Sequence, residues 1–500
     1  MLLRYIRNVI QGGGLLFPRP TRDRESREMV RSTLSKDILI RRALLALLAL
    51  AFLGVLLVLP SGSADAATIF TVNKTGDAGD RKINGVCDAS RKRGKQCTLR
   101  AAIQEANDPT VNPGLDTINF NIGGTAGVKT ISPASPLPGI SDSVTIDGYT
   151  QRGASENTLA VGNDAVLKLQ LNGTNAGTIA NPDPDGLGIL ASNSTIKGLV
   201  INRFGGDGVE ILGDGATGNK VEGNFLGTTA NGTDDRGNER GVLIRVNADS
   251  NTIGGTQPAQ RNLLSGNVVS GVAIFGSENN KVEGNYIGTQ KNGLTALENG
   301  DQGVFIGSAS NNTIGDSDPS DGLTTAANTI AFNRHDGIVV SQTTSTGNRI
   351  LSNKIFQNGA VGIDLQGTND VTDNDTDDPD TGANNLQNFP VISTATRNST
   401  TGITTITGTL NSNPSQSYTI QCFLTEAGGD SSGNGEGETL LDTTTSTTDA
   451  NGDSPNPGFT CTSNNSDVLA NVSKVSATAT NTVTGDTSEF SANVTVTSST

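Results

Sequence analysis

A short apolar pattern returns along the middle of the chain. Each copy is a glycine followed by two apolar residues that flank one variable position, and the seven copies begin at Gly186, Gly208, Gly241, Gly271, Gly303, Gly337 and Gly362. Alternation with a period of two is typical of a β-strand with one buried face. Successive copies lie 22 to 34 residues apart. This spacing indicates a structural repeat.

Between these copies lie segments in which an asparagine precedes a short apolar strand, as in residues 219–224, 280–285 and 348–353. We expect Gly and Asn at the corners because they tolerate the left-handed backbone of a sharp bend. Asn side chains of neighbouring coils can also bond to one another and form ladders. The longer steps contain insertions at residues 227–240, 254–261, 288–302 and 315–327, which we expect to form loops.

These patterns predict a right-handed parallel β-helix over residues 117–368. Stacked coils bury a continuous core, and parallel crossovers are almost always right-handed. An all-β sandwich is the alternative, but it does not explain why the same strand signature recurs at the same phase. In a β-helix the variable positions of the glycine pattern form one outward column: Gly188, Glu210, Leu243, Ala273, Phe305, Val339 and Asp364.

The pattern changes after Pro390. Strands rich in Thr and Ser follow, such as residues 403–410, 417–424 and 475–480, with Gly, Asn and Asp between them. This alternation favours an immunoglobulin-like β-sandwich over residues 391–500, and a flexible Thr/Ser-rich stalk is the alternative. Residues 369–390 carry many aspartates and are expected to form an acidic linker.

One amphipathic helix is predicted near the start of the exported chain. Leu99, Ala102, Ile103 and Ala106 have the spacing of one helical face, and Thr98 is the expected N-cap. The open end of a solenoid exposes unpaired strand edges. We therefore expect this helix to cover the first coil, within an N-terminal cap of residues 67–116.

The segment 97–103, which reads CTLRAAI, resembles the CSLREA-type motif found near the N-terminus of many exported bacterial β-helix proteins. Residues 145–151 and 385–390 are also similar to the layout of that group. Thr98 stands in place of Ser and Ala101 in place of Glu, and losing the Glu removes a reciprocal capping box and is expected to weaken the helix. The resemblance implies an exported β-helix and no particular reaction.

Residues 1–66 predict export. An apolar run at residues 43–59 follows two arginines and ends at a small-residue site containing Ala64 and Ala66, as in a cleaved secretory signal. Translation from Met29 would give this signal an ordinary length. The alternative is an uncleaved anchor, because the run is near the minimum length of a bilayer span. Export favours disulfides, and the four cysteines predict the local pairs Cys87–Cys97 and Cys422–Cys461.

Composition narrows the range of partners. The chain has 35 Lys and Arg against 50 Asp and Glu, a net charge of −15, which repels phosphate backbones and anionic lipids. We therefore expect no nucleic-acid partner, and membrane contact only through the signal segment. The chain contains no Trp and only 4% aromatic residues, which argues against extensive stacking on sugars.

Catalysis on a β-helix requires carboxylates together with Arg, Lys or His from successive coils. The four middle positions of the outward column are apolar, which argues against a catalytic row there. The candidates that remain are Glu210 with Asp207 or Asp214, as a carboxylate pair, and His335, the single histidine. Each of these residues also fits an ordinary turn position.

Asp373, Asp375 and Asp377 have the alternate spacing of a calcium-binding loop. Asp378 occupies the position where an EF-hand has glycine, and the distant bidentate Glu is missing. A structural Ca²⁺ site and a solvated acidic linker are therefore both open interpretations of this segment.

Two functions fit the sequence. One is a secreted or cell-surface, non-catalytic β-helix that binds glycan or another envelope component through its inserted loops and flat outward face. The other is a polysaccharide lyase, epimerase or hydrolase that acts on acidic or neutral glycans. A groove in which three or more acidic or basic side chains converge would favour the enzyme.

Overall fold

A computed structural model of the chain describes residues 67–92, 94–124, 126–177, 184–316, 325–368, 370–425 and 432–500. The predicted signal, including Met29, Ala64 and Ala66, lies outside these residues. Within the described ranges, no helix combines the length and the hydropathy that a bilayer span requires.

Three parallel sheets build the predicted β-helix. Sheet 1 contains nine described strands: Ile69–Val72, Asp116–Phe120, Val144–Asp147, Thr195–Lys197, Lys220–Glu222, Thr252–Gly254, Lys281–Glu283, Thr313–Gly315 and Arg349–Leu351. Sheet 2 contains eight: Lys129–Ile131, Leu169–Asn172, Val200–Asn202, Phe225–Leu226, Leu263–Leu264, Tyr286–Ile287, Thr329–Ala331 and Lys354–Phe356.

The seven glycine-initiated copies form sheet 3, in chain order. Its strands are Leu187–Ile189, Val209–Leu212, Val242–Arg245, Val272–Phe275, Val304–Gly307, Ile338–Ser341 and Ile363–Asp364. Neighbouring strands pair in parallel with like positions aligned. The inward Val, Ile and Leu side chains join one core that runs through all three sheets. The predicted stack of coils is therefore confirmed.

The reason for the initial glycines differs from the one we expected. None of the seven has the left-handed backbone of a sharp bend. Instead, a Cβ at Gly303 would lie 2.7 Å from the carbonyl oxygen of Gly337 in the next coil, and a Cβ at Gly241 would lie 2.5 Å from that of Gly271. The corner backbones of successive coils approach so closely that only glycine fits. Left-handed corners occur elsewhere, for example at Asn193.

Buried asparagines form three ladders, each running from coil to coil. The ladders comprise Asn219, Asn251, Asn280, Asn312, Asn348 and Asn384; Asn224, Asn262, Asn285, Asn328 and Asn353; and Asn238, Asn267, Asn299, Asn333 and Asn358. In almost every step the Asn oxygen accepts from the backbone N–H of the preceding coil's Asn. The ladders satisfy buried backbone donors that the corners would otherwise leave unpaired.

The N-terminal end is covered as the sequence predicts. The helix Leu99–Ala106 begins at the N-cap Thr98, whose hydroxyl accepts from the Ala101 N–H. Leu99 and Ile103 are buried in the core. The Cys87–Cys97 disulfide is formed beside the helix. Sheet 1 begins within the cap region, because strand Ile69–Val72 pairs with Asp116–Phe120.

The C-terminal residues form two four-stranded sheets that are largely antiparallel. One contains Val391–Asn398, Thr404–Thr409, Phe459–Ser463 and Thr497–Ser499; the other contains Ser417–Thr425, Thr439–Thr447, Lys474–Asn481 and Val494–Thr495. They share a second core, which includes the predicted Cys422–Cys461 disulfide.

This sandwich packs directly on the last coils. Glu436 accepts from the Asn358 backbone N–H and continues the third ladder. Glu489 accepts from the backbone N–H groups of Leu365 and Thr372. The expected acidic linker lies along this junction, and Asp378 within it is only 4% exposed.

Candidate functional site

Sheet 3 presents two outward columns, because side chains alternate between the two faces of a strand. The first is the column expected from the sequence, from Gly188 through Glu210 to Asp364. The second consists of Leu212, Arg245, Phe275, Gly307 and Ser341. Together the two columns define the outer surface of this sheet.

The first column is not the open flat face that we expected. Leu243 is 6% exposed, Ala273 1% and Val339 0%. In the second column, by contrast, Phe275 is 38% exposed and the Arg245 side chain 43% exposed. The solvent-accessible charged and aromatic side chains of sheet 3 therefore lie in the second column and at the edge where the strands begin.

Charged side chains converge near the start of the sheet. Arg245 forms an ion pair with Glu210, and Arg240 forms one with Asp207 at 3.3 Å and one with Glu239 at 2.8 Å. Arg240 ends the inserted loop 227–240 and Asp207 precedes the initial glycine of its coil, so both lie at the corner that leads into sheet 3. Three carboxylates and two guanidinium groups from adjacent coils thus share one region.

Asp207 is the most perturbed group of this cluster. Its side chain is 2% exposed, and its backbone N–H donates to Asp185 at 2.6 Å. Burial raises the pKa of Asp207 to about 7, although the nearby Arg240 charge opposes the shift. A carboxyl group of this kind exchanges a proton near neutral pH.

An aromatic surface lies beside the charged cluster. The ring centroids of Phe275 and Phe305 are 5.0 Å apart, and Phe275 remains 38% exposed. Their separation falls in the range of favourable aromatic pairs. The pair gives the groove an apolar wall one to two coils beyond Arg245.

Two depressions enclose these groups and meet at Arg245. One has a volume of about 520 Å³ and is lined by Asp207, Arg240 and Phe275 among others. The other has a volume of about 640 Å³ and is lined by Asp185, Glu210 and residues 135–139 of the N-terminal region. We call the two together the sheet 3 groove. Its size and its mixture of apolar and polar walls are typical of ligand sites.

The sequence found Asp207 and Glu210 but missed Arg240, Arg245 and Phe275. The apolar middle positions argue against a catalytic row only in the first column, whereas Arg245 comes from the second column and Arg240 from the loop that leads into the sheet. Extending the alternation by two residues would have found Arg245 and Phe275 in one column.

His335 does not belong to the groove. Its corner leads into strand Ile338–Ser341, which lies four strands beyond Val209–Leu212 in sheet 3, or roughly 19 Å along the coil axis. Its Nδ1 lies 2.7 Å from Oδ1 of Asp301, and the ring is half exposed. The structure therefore does not bring His335 together with Asp207 or Glu210.

The acidic segment folds differently from an extended calcium loop. Asp375 lies close to Asp378 and Asp380, with one oxygen of each within 4.8 Å of the others. Asp373 is exposed, and the backbone N–H of Asp377 donates to Asn411. The three-residue group is therefore not the alternate series that the sequence suggested.

No protein-family model matches the chain, and no curated protein matches it either. Among solved structures, the A-module of a mannuronan C-5 epimerase from Azotobacter vinelandii matches with 15% identity and a TM-score of 0.23, over 56% of this chain and 88% of that one.

Two bacteriophage proteins also match. A tailspike protein from an Escherichia coli O157:H7 phage has 13% identity and a TM-score of 0.21, over 81% of this chain and 67% of that one. A tailspike from an Acinetobacter baumannii phage, described as a capsular polysaccharide depolymerase, has 10% identity and a TM-score of 0.20, over 76% and 79%. Similarity of this extent establishes neither a shared fold nor a shared function.

Proposed function

We propose that this chain is an exported protein that binds glycan in the sheet 3 groove. The observation that carries the proposal is that the Asp207–Arg240 and Glu210–Arg245 pairs and the exposed face of Phe275 line two depressions that share Arg245. Carboxylates and guanidinium groups together accept and donate the hydrogen bonds that sugar hydroxyls offer. Aromatic rings provide apolar contact for the sugar ring.

The charge balance of the groove favours binding of an uncharged stretch of glycan. Arg240 and Arg245 already pair with carboxylates of the chain, and Arg100 in the second depression pairs with Asp77. Among the described residues that line the groove, no guanidinium is therefore left without a carboxylate partner to neutralise an anionic sugar. An anionic ligand would have to displace an existing ion pair and leave a carboxylate without its partner, which is costly. Hydroxyl groups can join the pairs without breaking them.

A glycan array with the full chain tests the proposal, compared with Phe275→Ala. We expect binding to neutral glycans that Phe275→Ala weakens about tenfold, because the ring supplies apolar contact at the centre of the groove. The matched control is Phe332→Ala, which removes an aromatic residue paired with Phe356 on another part of the coil. Equal binding by both variants and the unchanged chain would contradict the proposal.

A carbohydrate-active enzyme is the second candidate, and the convergence of four charged side chains in the groove favours it, as expected from the sequence. With a pKa of about 7, Asp207 would be available as a proton donor at neutral pH, and Glu210 in the same groove would serve as the second carboxylate. Asp207→Asn would then abolish release of reducing or unsaturated sugar ends while leaving glycan binding. Binding by the unchanged chain without any turnover selects the non-catalytic function.

We also propose a Ca²⁺ site at Asp375, Asp378 and Asp380. Oδ1 of Asp375 and Oδ1 of Asp380 are buried and have no hydrogen-bond partner within the described residues. An all-oxygen set of three carboxylates suits a hard divalent cation, and a bound ion would offset their mutual repulsion.

The calcium proposal predicts that Ca²⁺ raises the thermal midpoint of the full chain and that a chelator reverses the increase. Asp380→Asn should remove most of this effect, whereas Asp373→Asn, at an exposed position outside the group, should keep it. A midpoint insensitive to Ca²⁺ in the unchanged chain would leave the segment as an acidic junction.

We also propose export of the chain, the handedness of the coil and the class of the C-terminal sandwich. Export through the signal at residues 1–66 is supported by the two disulfides, which are typical of oxidising compartments. Right-handed winding of the coil is supported by the general rule for parallel crossovers. An immunoglobulin-like sandwich at residues 391–500 is supported by two four-stranded sheets that share a core.

A further inference from the structure

Sheet 1 has an outward column that neither the groove nor the acidic group uses. The aligned residues at this position of successive strands are Thr195, Lys220, Thr252, Lys281, Thr313 and Arg349. Threonine and a cation therefore alternate over six coils. We call this row the threonine–cation column.

The pairing geometry sets the spacing of these groups. Neighbouring strands lie about 4.8 Å apart, so cations recur roughly every 10 Å, with a threonine hydroxyl midway between them. The next residue of each strand, such as Val221 or Val282, is fully buried. The column therefore faces outward, and Lys220 and Lys281 are exposed to solvent.

The column stands on a rigid support. From Lys220 to Arg349, the residue that precedes each member is an asparagine of the first ladder. The side-chain bonds between these asparagines measure 2.9 Å from Asn219 to Asn251 and 3.1 Å from Asn312 to Asn348. Fixed spacing lowers the ordering cost when a repetitive ligand binds.

Among the described residues, the cations form no close ion pair, although the Lys281 charge lies near enough to Glu283 to oppose the rise that burial causes in the pKa of that carboxyl. Within the described ranges, Lys220, Lys281 and Arg349 form no ion pair. The carboxylates at the far ends of two of these strands are engaged or covered. Glu222 accepts from Gln260 at 2.9 Å, and Glu283 is 9% exposed.

We infer that the threonine–cation column binds an extended acidic polysaccharide that carries one carboxylate on every second sugar. The exposed Lys220 and Lys281 complement the carboxylates, and the hydroxyl of the half-buried Thr252 between them bonds to the uncharged sugar. Thr313 is only 9% exposed, so this contact is centred on the two lysines. Double-stranded nucleic acid fits poorly, because each of its strands carries one phosphate per about 3.4 Å of helix axis. The chain carries a net charge of −15, which repels polyanions. A polyanion therefore binds only at a locally positive strip such as this column.

This inference is independent of the proposed function of the groove. The column lies on sheet 1 and the groove on sheet 3, and they favour ligands of different charge. Variants of one surface leave the residues of the other unchanged, so each can fail separately.

The test measures binding of hyaluronan oligosaccharides, with one carboxylate per two sugars, to the full chain at low ionic strength, with neutral dextran as the comparison. Lys281→Thr should weaken hyaluronan binding about threefold and Lys220→Thr with Lys281→Thr about tenfold, as expected for exposed ion pairs. Added salt should weaken binding further. Threonine already occupies this position in neighbouring coils, so the variants should fold, which circular dichroism checks.

The matched control is Lys354→Thr. Lys354 is an exposed lysine of sheet 2 and pairs in register with Thr329, so this variant makes the same chemical change on another face. It should bind hyaluronan like the unchanged chain. The inference is overturned if Lys354→Thr weakens binding as much as Lys281→Thr, if the double variant binds normally, or if dextran binds as tightly as hyaluronan.

Discussion

Glycine acts at the corners of this coil through the absence of a side chain. At Gly303 a Cβ would meet Cγ2 of Ile330 at 2.5 Å and the carbonyl oxygen of Gly337 at 2.7 Å. The backbone oxygen cannot move aside without disturbing the next coil. At Gly188, on the outer face of sheet 3, a Cβ would meet no atom within 4 Å. The same residue type is therefore required at one position and replaceable at the other.

Gly303→Ala is expected to lower the free energy of unfolding by about 1–3 kcal/mol, because overpacking forces the coils apart. Gly188→Ala should change it by less than about 0.5 kcal/mol. Chemical denaturation followed by circular dichroism measures both. Equal stability of the two variants would show that the corner backbones do not approach as closely as described.

The backbone conformation of two single residues explains why the sequence predicted the acidic segment only in part. The sequence indicated Asp375 but paired it with residues at alternate positions. Asp377 and Asp378 both have left-handed backbones, with φ of 63° and 55°, and this reversal brings Asp380 beside Asp375. A non-glycine residue with positive φ is rare, so no spacing rule applied to the sequence would have anticipated the turn.

At the scale of elements, the strands of sheet 3 were predictable because a glycine marks the start of each one. The sheet is buried on its inner face, so period-two alternation fixed which residues point inward. It was harder to predict which residues of the outer face are accessible to solvent. Loops and long side chains cover it unevenly, and Val339 is fully buried although it lies in an outward column. Arg245 and Phe275 were missed because they lie two residues beyond the first column on the same face.

The inserted loops also have a role that the sequence did not indicate. Those at residues 227–240 and 288–302 contact the outer side of sheet 2, where Phe225 and Tyr286 form a small additional core. Gly232 lies against Phe225 and Gly293 against Tyr286. These loops therefore cover one sheet, and the first of them also delivers Arg240 to the groove on another.

The whole molecule carries several buried carboxyl groups, which makes its stability depend on pH. Burial raises the pKa of Glu489 to about 8, that of Asp207 to about 7 and that of Asp336 to about 6. For such groups the folded state holds the proton more tightly than the unfolded chain. The stability they contribute is complete below about pH 4, the ordinary range of carboxyl pKa values, and is lost as pH rises through 6 to 8.

We therefore expect the thermal midpoint to fall as pH rises from about 5 to about 8.5. Glu489→Gln should flatten the dependence above pH 6, and Glu298→Gln, which removes a carboxylate from an exposed position, should leave it unchanged. Thermal melts in a series of buffers measure the trend. A midpoint that increases over this range would contradict the assignment of buried, protonated carboxyl groups.

The central claim is that the sheet 3 groove holds the glycan. A crystal structure of the full chain with the neutral glycan that binds most tightly on the array tests this most directly. We predict sugar density in contact with Phe275 and within hydrogen-bond distance of Arg245 or Glu210. Density over the loops on sheet 2, with the groove empty, would contradict the claim.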